Sequence, residues 1–147
     1  MKEMKLRKME VKHILIAEDD DNKFSVIHKY LVDKGYKQYK RVKSYNGALN
    51  AIHKSDKYDL LILDMQMPWY DGSPNDIHDV AGFDVLRMMW LQDKTIPTIV
   101  CSSNEVKDDR LEKANPDSYR GQVKYSYTNI DWQRKMSQLI DEIFAND

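Results

Sequence analysis

The hydrophobic residues of the chain fall into five short runs, separated by segments in which apolar residues recur with helical spacing. The first run is continuous rather than alternating, which is typical of a strand buried on both faces of a sheet. Strands are predicted at residues 13–17, 39–42, 58–63, 96–101 and 121–125. Amphipathic helices are predicted at residues 22–34, 46–54, 82–92, 104–115 and 131–144. Five strands that alternate with five helices predict an α/β fold with a parallel sheet covered on both faces.

Composition narrows the class of protein. A chain of 147 residues with 41% hydrophobic and 32% charged residues fits one globular domain, predicted at residues 12–147 after a basic tail at residues 1–11. The net charge of −1 gives no support for a nucleic-acid partner or for an anionic membrane surface. The single cysteine, Cys101, precludes an internal disulfide and favours the cytoplasm. The longest apolar runs are too short to span a bilayer, and no signal peptide is recognisable.

Polar residues follow the predicted strands at their carboxyl ends, where open α/β sheets bind ligands. Glu18 and Asp19 follow the first strand, and Asp64 follows the third. Ser102 follows the fourth strand and Lys124 lies in the fifth. Several carboxylates brought together repel one another unless a cation neutralises them, which predicts a site for Mg²⁺ (or Mn²⁺). A carboxylate beside such an ion can attack a phosphoryl group, with the ammonium of Lys124 and the hydroxyl of Ser102 as donors to the phosphoryl oxygens.

Three segments resemble response regulator receiver domains of two-component signalling. Residues 14–20 (Ile-Leu-Ile-Ala-Glu-Asp-Asp) are similar to the first strand and acidic pair of that family. Residues 61–68 (Leu-Ile-Leu-Asp-Met-Gln-Met-Pro) resemble its phosphoacceptor segment, and residues 96–103 resemble its fourth strand with the switch hydroxyl. The resemblance covers roughly residues 12 to 145 and implies a flavodoxin-like (CheY-like), doubly wound sheet with strand order 2-1-3-4-5.

The resemblance also implies a role for each site residue. Asp64 would be the phosphoacceptor and, with Asp19, a ligand of Mg²⁺, while Glu18 would hold the ion through water. The backbone carbonyl of Gln66 would be a further ligand.

The remaining roles concern the phosphoryl group itself. Ser102 and Lys124 would bind it, and the side chains of Gln66 and Asn104 would tune its lifetime.

The sequence departs from the family pattern in three places. After Asp71-Gly72 the family's next helix is expected at once, but here it restarts at Gly82, which indicates an insertion of about ten residues at 72–81. Tyr125 follows Lys124 where the family commonly has proline. Gly121 occupies the position of the usual switch aromatic residue, so that either Tyr119 substitutes for it or the switch is altered.

Other interpretations of the same residues stay open. The acidic run after the first strand could favour a helix N-terminus only, and Asp64 could be a turn residue at a strand end. Ser102 could be a helix N-cap, and Lys124 could be a surface lysine on an edge strand.

The main functional hypothesis is a signalling phosphoacceptor, not an enzyme, that stands alone without an output domain. A sensor histidine kinase or a phosphotransfer protein would donate the phosphoryl group, and a changed surface would bind an unidentified downstream protein. The alternative is a pseudo-receiver that binds proteins independently of phosphorylation. A phosphohydrolase with an aspartate nucleophile is disfavoured, since Gln66 stands where such enzymes need a second aspartate.

Overall fold

The structure, a computed structural model, describes residues 11–72 and 76–145. Strands β1 (His13–Ala17), β2 (Gln38–Val42), β3 (Leu60–Leu63), β6 (Thr98–Ser102) and β7 (Tyr119–Lys124) form one sheet. Its order is β2-β1-β3-β6-β7, and every neighbouring pair is parallel. The predicted fold, a doubly wound sheet of order 2-1-3-4-5, is confirmed. The predicted tail at residues 1–11 lies outside the described residues, except for Val11.

Five helices cover the sheet: α1 (Asp21–Asp33), α2 (Tyr45–Lys54), α3 (Ala81–Leu91), α4 (Asp108–Ala114) and α5 (Trp132–Ala145). One buried core lies beneath α2, α3 and α4, and a second lies beneath α1 and α5. All four residues of β3 are buried. Because both faces of the sheet are covered, its three central strands, β1, β3 and β6, are buried and largely apolar. Within the described residues, no helix is long and apolar enough to cross a membrane.

The segment after β3 differs from the predicted loop. It contains a short antiparallel pair, β4 (Met67–Pro68) with β5 (Ile77–His78). The rings of Trp69 and His78 pack with their centroids 4.4 Å apart. Residues 77–78 of the predicted insertion therefore fold back against the segment that follows Asp64; residues 73–75 are outside the described part of the chain.

Helix α4 is shorter than predicted. The prediction placed its start at residue 104, but the helix begins at Asp108. The backbone of Val106 is held outside the helix because its N–H donates to Gln122 Oε1 (3.2 Å) and its carbonyl accepts from Gln122 Nε2. The Gln122 side chain thus occupies the Val106 carbonyl, which a helix that begins at residue 104 would otherwise use.

Candidate functional site

Three carboxylates meet where strands β1 and β3 end. The two strands run in parallel register, and the Asp64 N–H donates to the carbonyl of Ala17 (3.0 Å), which places Asp64 beside Glu18 and Asp19. One carboxylate oxygen from each of these three acids lies within 4.8 Å of the others. Glu18 is 2% exposed and Asp64 7% exposed. Residues that are distant in the sequence therefore form one largely buried cluster of acidic side chains.

The fourth acid of this region has a separate role. Asp20 is the N-cap of α1, where its Oδ1 accepts from the N–H groups of Asn22 (2.9 Å) and Lys23 (3.2 Å). Its own N–H donates to Glu18 Oε2 (3.2 Å). The helix-cap interpretation of the acidic run therefore holds for Asp20, whereas Glu18 and Asp19 face the cluster.

The carboxylates oppose one another's ionisation. Burial, together with the charge of Asp64, raises the pKa of Glu18 to about 8. The same two causes raise the pKa of Asp19 above its usual range. A hard divalent cation would relieve this repulsion, and carboxylate oxygens are ligands that Mg²⁺ prefers. The donor set of Glu18, Asp19 and Asp64 therefore fits the predicted metal.

A cation that the sequence prediction missed lies in the cluster. The ammonium Nζ of Lys23, on α1, is 2.8 Å from Glu18 Oε1 and 3.3 Å from Asp64 Oδ1. It also donates to the carbonyl of Cys101 (2.8 Å). The residue is 2% exposed. Burial acts to lower the pKa of Lys23, but the charges of Asp64 and Glu18 outweigh it, so the net pKa lies above the usual value and the group is an ammonium.

A sequence signal for Lys23 was present. Lys23 precedes Ile27 by four residues and Leu31 by eight, so all three lie on one face of α1. Ile27 and Leu31 are both buried. A lysine in register with a buried apolar stripe needs a buried partner, and the acidic residues just before the helix supply it.

The two predicted phosphoryl-binding residues lie near the end of the β6–β7 pair, where Ser102 and Lys124 are partners in register. Ser102 is buried, and its Oγ accepts from the N–H of Asn104 (3.3 Å). Lys124 is exposed, between the buried Val123 and Tyr125. Strand geometry explains this, because successive side chains point to opposite faces. The structure does not place Lys124 in the acidic cluster, so its phosphoryl-binding role stays a prediction.

The acids border a cleft of about 180 Å³ that solvent can enter. Its remaining walls come from α1, the β3–β5 segment, the end of β6 and the loop after β7, and include Lys23, Gln66, Ile77, Ser103 and Tyr127. Of the adjacent serines 102 and 103, Ser103 lines the cleft and Ser102 does not. The hydroxyl of Tyr127 donates to Asp20 Oδ2 (3.1 Å), which ties that loop to the β1 end.

The two residues predicted to tune phosphoryl lifetime share a second cavity. Gln66 and Asn104 both line a space of about 260 Å³ beside the cleft. Gln66 borders both spaces, and its Nε2 donates to Asp79 Oδ1 (3.1 Å), next to the β5 segment. The structure thus brings Gln66 and Asn104 together, and it links Gln66 to the insertion.

Packing explains how the residues in and just after β7 that depart from the family pattern are accommodated. Gly121 has φ +149°, a backbone conformation that favours glycine, and a Cβ there would lie 2.9 Å from Leu139 Cδ2, so a larger residue would strain the backbone and require Leu139 to shift. Tyr119 is half-buried, and its hydroxyl donates to Asp108 Oδ1 in the first turn of α4. Tyr125 is buried in the core beneath α1 and α5.

Comparison with known proteins agrees with this fold. The response regulator receiver domain family matches residues 14–119 of the chain. A curated relative, the Detocs response regulatory protein DtcB of Enterobacter cloacae (strain JD6301), is 33% identical over an alignment of 140 residues that covers 91% of this chain and 93% of the relative. The chain belongs to the response regulator receiver domain family.

Solved structures of other receivers share the fold. The response regulator protein TrrA of Thermotoga maritima, determined in complex with Mg²⁺ and beryllofluoride, has a TM-score of 0.65 and 22% identity over 88% of this chain and 99% of its own. A second structure, of the histidine kinase ThkA in complex with TrrA, matches with a TM-score of 0.63, 22% identity and the same coverage. At this level of identity the likeness shows the fold alone.

Proposed function

We propose that the protein is a phosphorylation switch, in which Asp64 accepts a phosphoryl group in the presence of Mg²⁺. The observation that carries the proposal is the cluster of Glu18, Asp19 and Asp64 at the carboxyl end of the sheet, with carboxylate oxygens within 4.8 Å of one another. Asp64 is partly accessible at 7% exposure and borders a solvent-open cleft. A phosphoryl donor can reach such a carboxylate, whereas a fully enclosed one would be out of reach.

The chemistry is a phosphoryl transfer between a donor and this carboxylate. An oxygen of Asp64 forms a bond to phosphorus as the bond from phosphorus to the donor breaks, and the donor keeps the electron pair. The product is an acyl phosphate on Asp64 together with the free donor, which is a neutral imidazole when the donor is a phosphohistidine that carries a proton on its other ring nitrogen. Glu18, Asp19, Asp64 and the backbone carbonyl of Gln66 would hold Mg²⁺. The ion would neutralise charge on the phosphoryl oxygens.

The donor in this proposal is a sensor histidine kinase or a phosphotransfer protein. The structural likeness to TrrA, whose complex with the histidine kinase ThkA has been solved, supports this class of donor. The phosphoryl group would also contact the hydroxyl of Ser102, at the end of β6. Rearrangement there would change a surface that binds a downstream protein, in keeping with a cytoplasmic signalling role.

Acetyl phosphate with Mg²⁺ tests the proposal, with intact-mass spectrometry as the measurement. Wild-type protein should gain one phosphoryl group, and this gain should disappear with EDTA or in Asp64→Asn. Asp117→Asn is the matched control, because Asp117 is exposed and lies outside the cleft. An unmodified wild type, or equal modification of Asp64→Asn, would refute the proposal and favour a phosphorylation-independent binding module.

A further inference from the structure

The ammonium of Lys23 is fixed by three acceptors. An ammonium has three N–H donors, and Glu18 Oε1, Asp64 Oδ1 and the carbonyl of Cys101 lie at 2.8, 3.3 and 2.8 Å from Nζ. The three acceptors come from the ends of three neighbouring strands, β1, β3 and β6. The Tyr125 ring, 5.3 Å from Nζ, packs beside the ammonium. The position of the charge is therefore set by the fold and not by a mobile surface chain.

The contact with Asp64 is the longest of the three, and it is made to a carboxylate oxygen of the proposed phosphoacceptor. When Asp64 is phosphorylated, one of its oxygens becomes the bridging oxygen of the acyl phosphate and the carboxylate charge is lost. The new negative charge lies on the phosphoryl oxygens, bonded to the same carboxyl group. Among the described residues, Lys23 is the cationic side chain that lines the cleft. Lys124, the lysine in register with Ser102, is exposed and lies outside it.

We propose that Lys23 of α1, rather than Lys124 of β7, is the ammonium that binds the phosphoryl group on Asp64. This inference rests on the proposed function. On phosphorylation the ammonium, now 3.3 Å from Asp64 Oδ1, contacts a phosphoryl oxygen, while the ion pair with Glu18 and the hydrogen bond to the Cys101 carbonyl hold Nζ in place. The binding cation therefore comes from the first helix of the fold. Its link to Cys101 connects the phosphoryl group to the strand that ends in Ser102.

Matched neutral variants separate the two lysines. Lys23→Met and Lys124→Met each remove one ammonium and keep an unbranched side chain of similar length. We expect Lys23→Met to slow phosphorylation by acetyl phosphate at least about tenfold, as loss of a donor to a developing anion does elsewhere. Lys124→Met should stay within about twofold of wild type, since its Nζ is outside the cleft. In ¹⁹F NMR with Mg²⁺, the signal of protein-bound beryllofluoride should be lost in Lys23→Met and retained in Lys124→Met.

Titration with Mg²⁺ alone, followed by calorimetry, distinguishes a lost phosphoryl contact from a collapsed site. Removal of a positive charge 2.8 Å from Glu18 and 3.3 Å from Asp64 should leave Mg²⁺ affinity equal to or higher than that of wild type. Lower Mg²⁺ affinity in Lys23→Met would overturn the inference, because a structural role would then explain the loss of phosphorylation. Lys23→Arg, which keeps the charge, should recover part of the beryllofluoride binding.

The inference and the proposed function fail in different ways. If Lys124→Met loses phosphorylation while Lys23→Met retains it, the inference is overturned and Asp64 remains the acceptor. If wild type takes up neither the phosphoryl group nor beryllofluoride, both are overturned. Should Lys23→Met not fold, a structure of wild type with Mg²⁺ and beryllofluoride decides the question. Nζ of Lys23 within hydrogen-bond distance of a fluoride supports the inference, and Lys124 in that place refutes it.

Discussion

Substitution of Gly82 by alanine tests how closely helix α3 packs against the backbone of Asp64. It is the second residue of α3, and its N–H donates to the carbonyl of Met65 (3.0 Å). A Cβ at this position would lie 2.3 Å from the carbonyl oxygen of Asp64 and 2.9 Å from Cα of Met65. Both neighbours are backbone atoms of the segment that carries the phosphoacceptor. Gly82→Ala therefore forces either α3 or the Asp64 backbone to move.

The size of the effect follows from the distances. Ordinary van der Waals contact begins at 3.4 Å, so the Asp64 carbonyl and the new methyl group must separate by about 1 Å. Overpacking of this kind costs typically about 1–3 kcal/mol. Alanine in a helix recovers up to about 1 kcal/mol relative to glycine. The clash is with backbone atoms, which places the cost at the upper end of that range, so we expect a net loss of about 2 kcal/mol in the free energy of unfolding. Phosphorylation should also be slower because Asp64 is displaced.

Urea unfolding followed by tryptophan fluorescence measures the stability of Gly82→Ala. Gly47→Ala in α2 is the matched control, since the nearest atom to its Cβ is the Ser44 side-chain oxygen at 3.0 Å rather than backbone. The control should stay within about 1 kcal/mol of wild type. Wild-type or greater stability of Gly82→Ala, together with a normal phosphorylation rate, would refute the reasoning.

Three further predictions concern single side chains. The raised pKa of Glu18, about 8 against 4.5, means that between these pH values the folded protein holds a proton that the unfolded chain has released. Without metal, the free energy of unfolding should therefore fall as the pH rises through this window, by at most about 1.4 kcal/mol per pH unit. Urea melts of Glu18→Gln should lack this pH dependence. An unchanged pH dependence in the variant would contradict the raised pKa of Glu18. Asp19→Asn should weaken Mg²⁺ binding about tenfold or more by calorimetry, whereas wild-type affinity would exclude Asp19 as a ligand. Asn115 is fully buried, donates to the Leu86 carbonyl (3.1 Å) and accepts from the Ser118 N–H (3.0 Å). Asn115→Ala should lower the free energy of unfolding by about 2–3 kcal/mol in thermal or urea melts. A loss below about 0.5 kcal/mol would argue against these bonds.

The strand order and the acidic cluster were predictable because both follow from local pattern and one topological rule. Continuous apolar runs identified β1, β3 and β6, and alternation with helices implied a parallel sheet. The carboxyl ends of parallel strands meet at one edge. This is why Glu18, Asp19 and Asp64 could be placed together without coordinates.

The features that the sequence did not predict depend on side chains that meet only after folding. The sequence analysis did not single out Lys23, because its three acceptors lie on separate strands. The start of α4 was placed four residues too early, because the competing bonds to Val106 come from Gln122, sixteen residues away. Lys124 was predicted to bind the phosphoryl group because it lies at the end of a strand. Its side chain is exposed because its neighbours, Val123 and Tyr125, are the residues that enter the core.

Direct mapping of the phosphorylated residue tests the central claim most closely. Protein treated with acetyl phosphate and Mg²⁺ is reduced with borohydride, which converts an acyl phosphate on aspartate to homoserine, and the digested peptides are sequenced by mass spectrometry. We expect homoserine at position 64 in place of Asp64, and its formation should require Mg²⁺. Homoserine at Asp19 or Asp20 instead, or none at Asp64, would contradict the central claim.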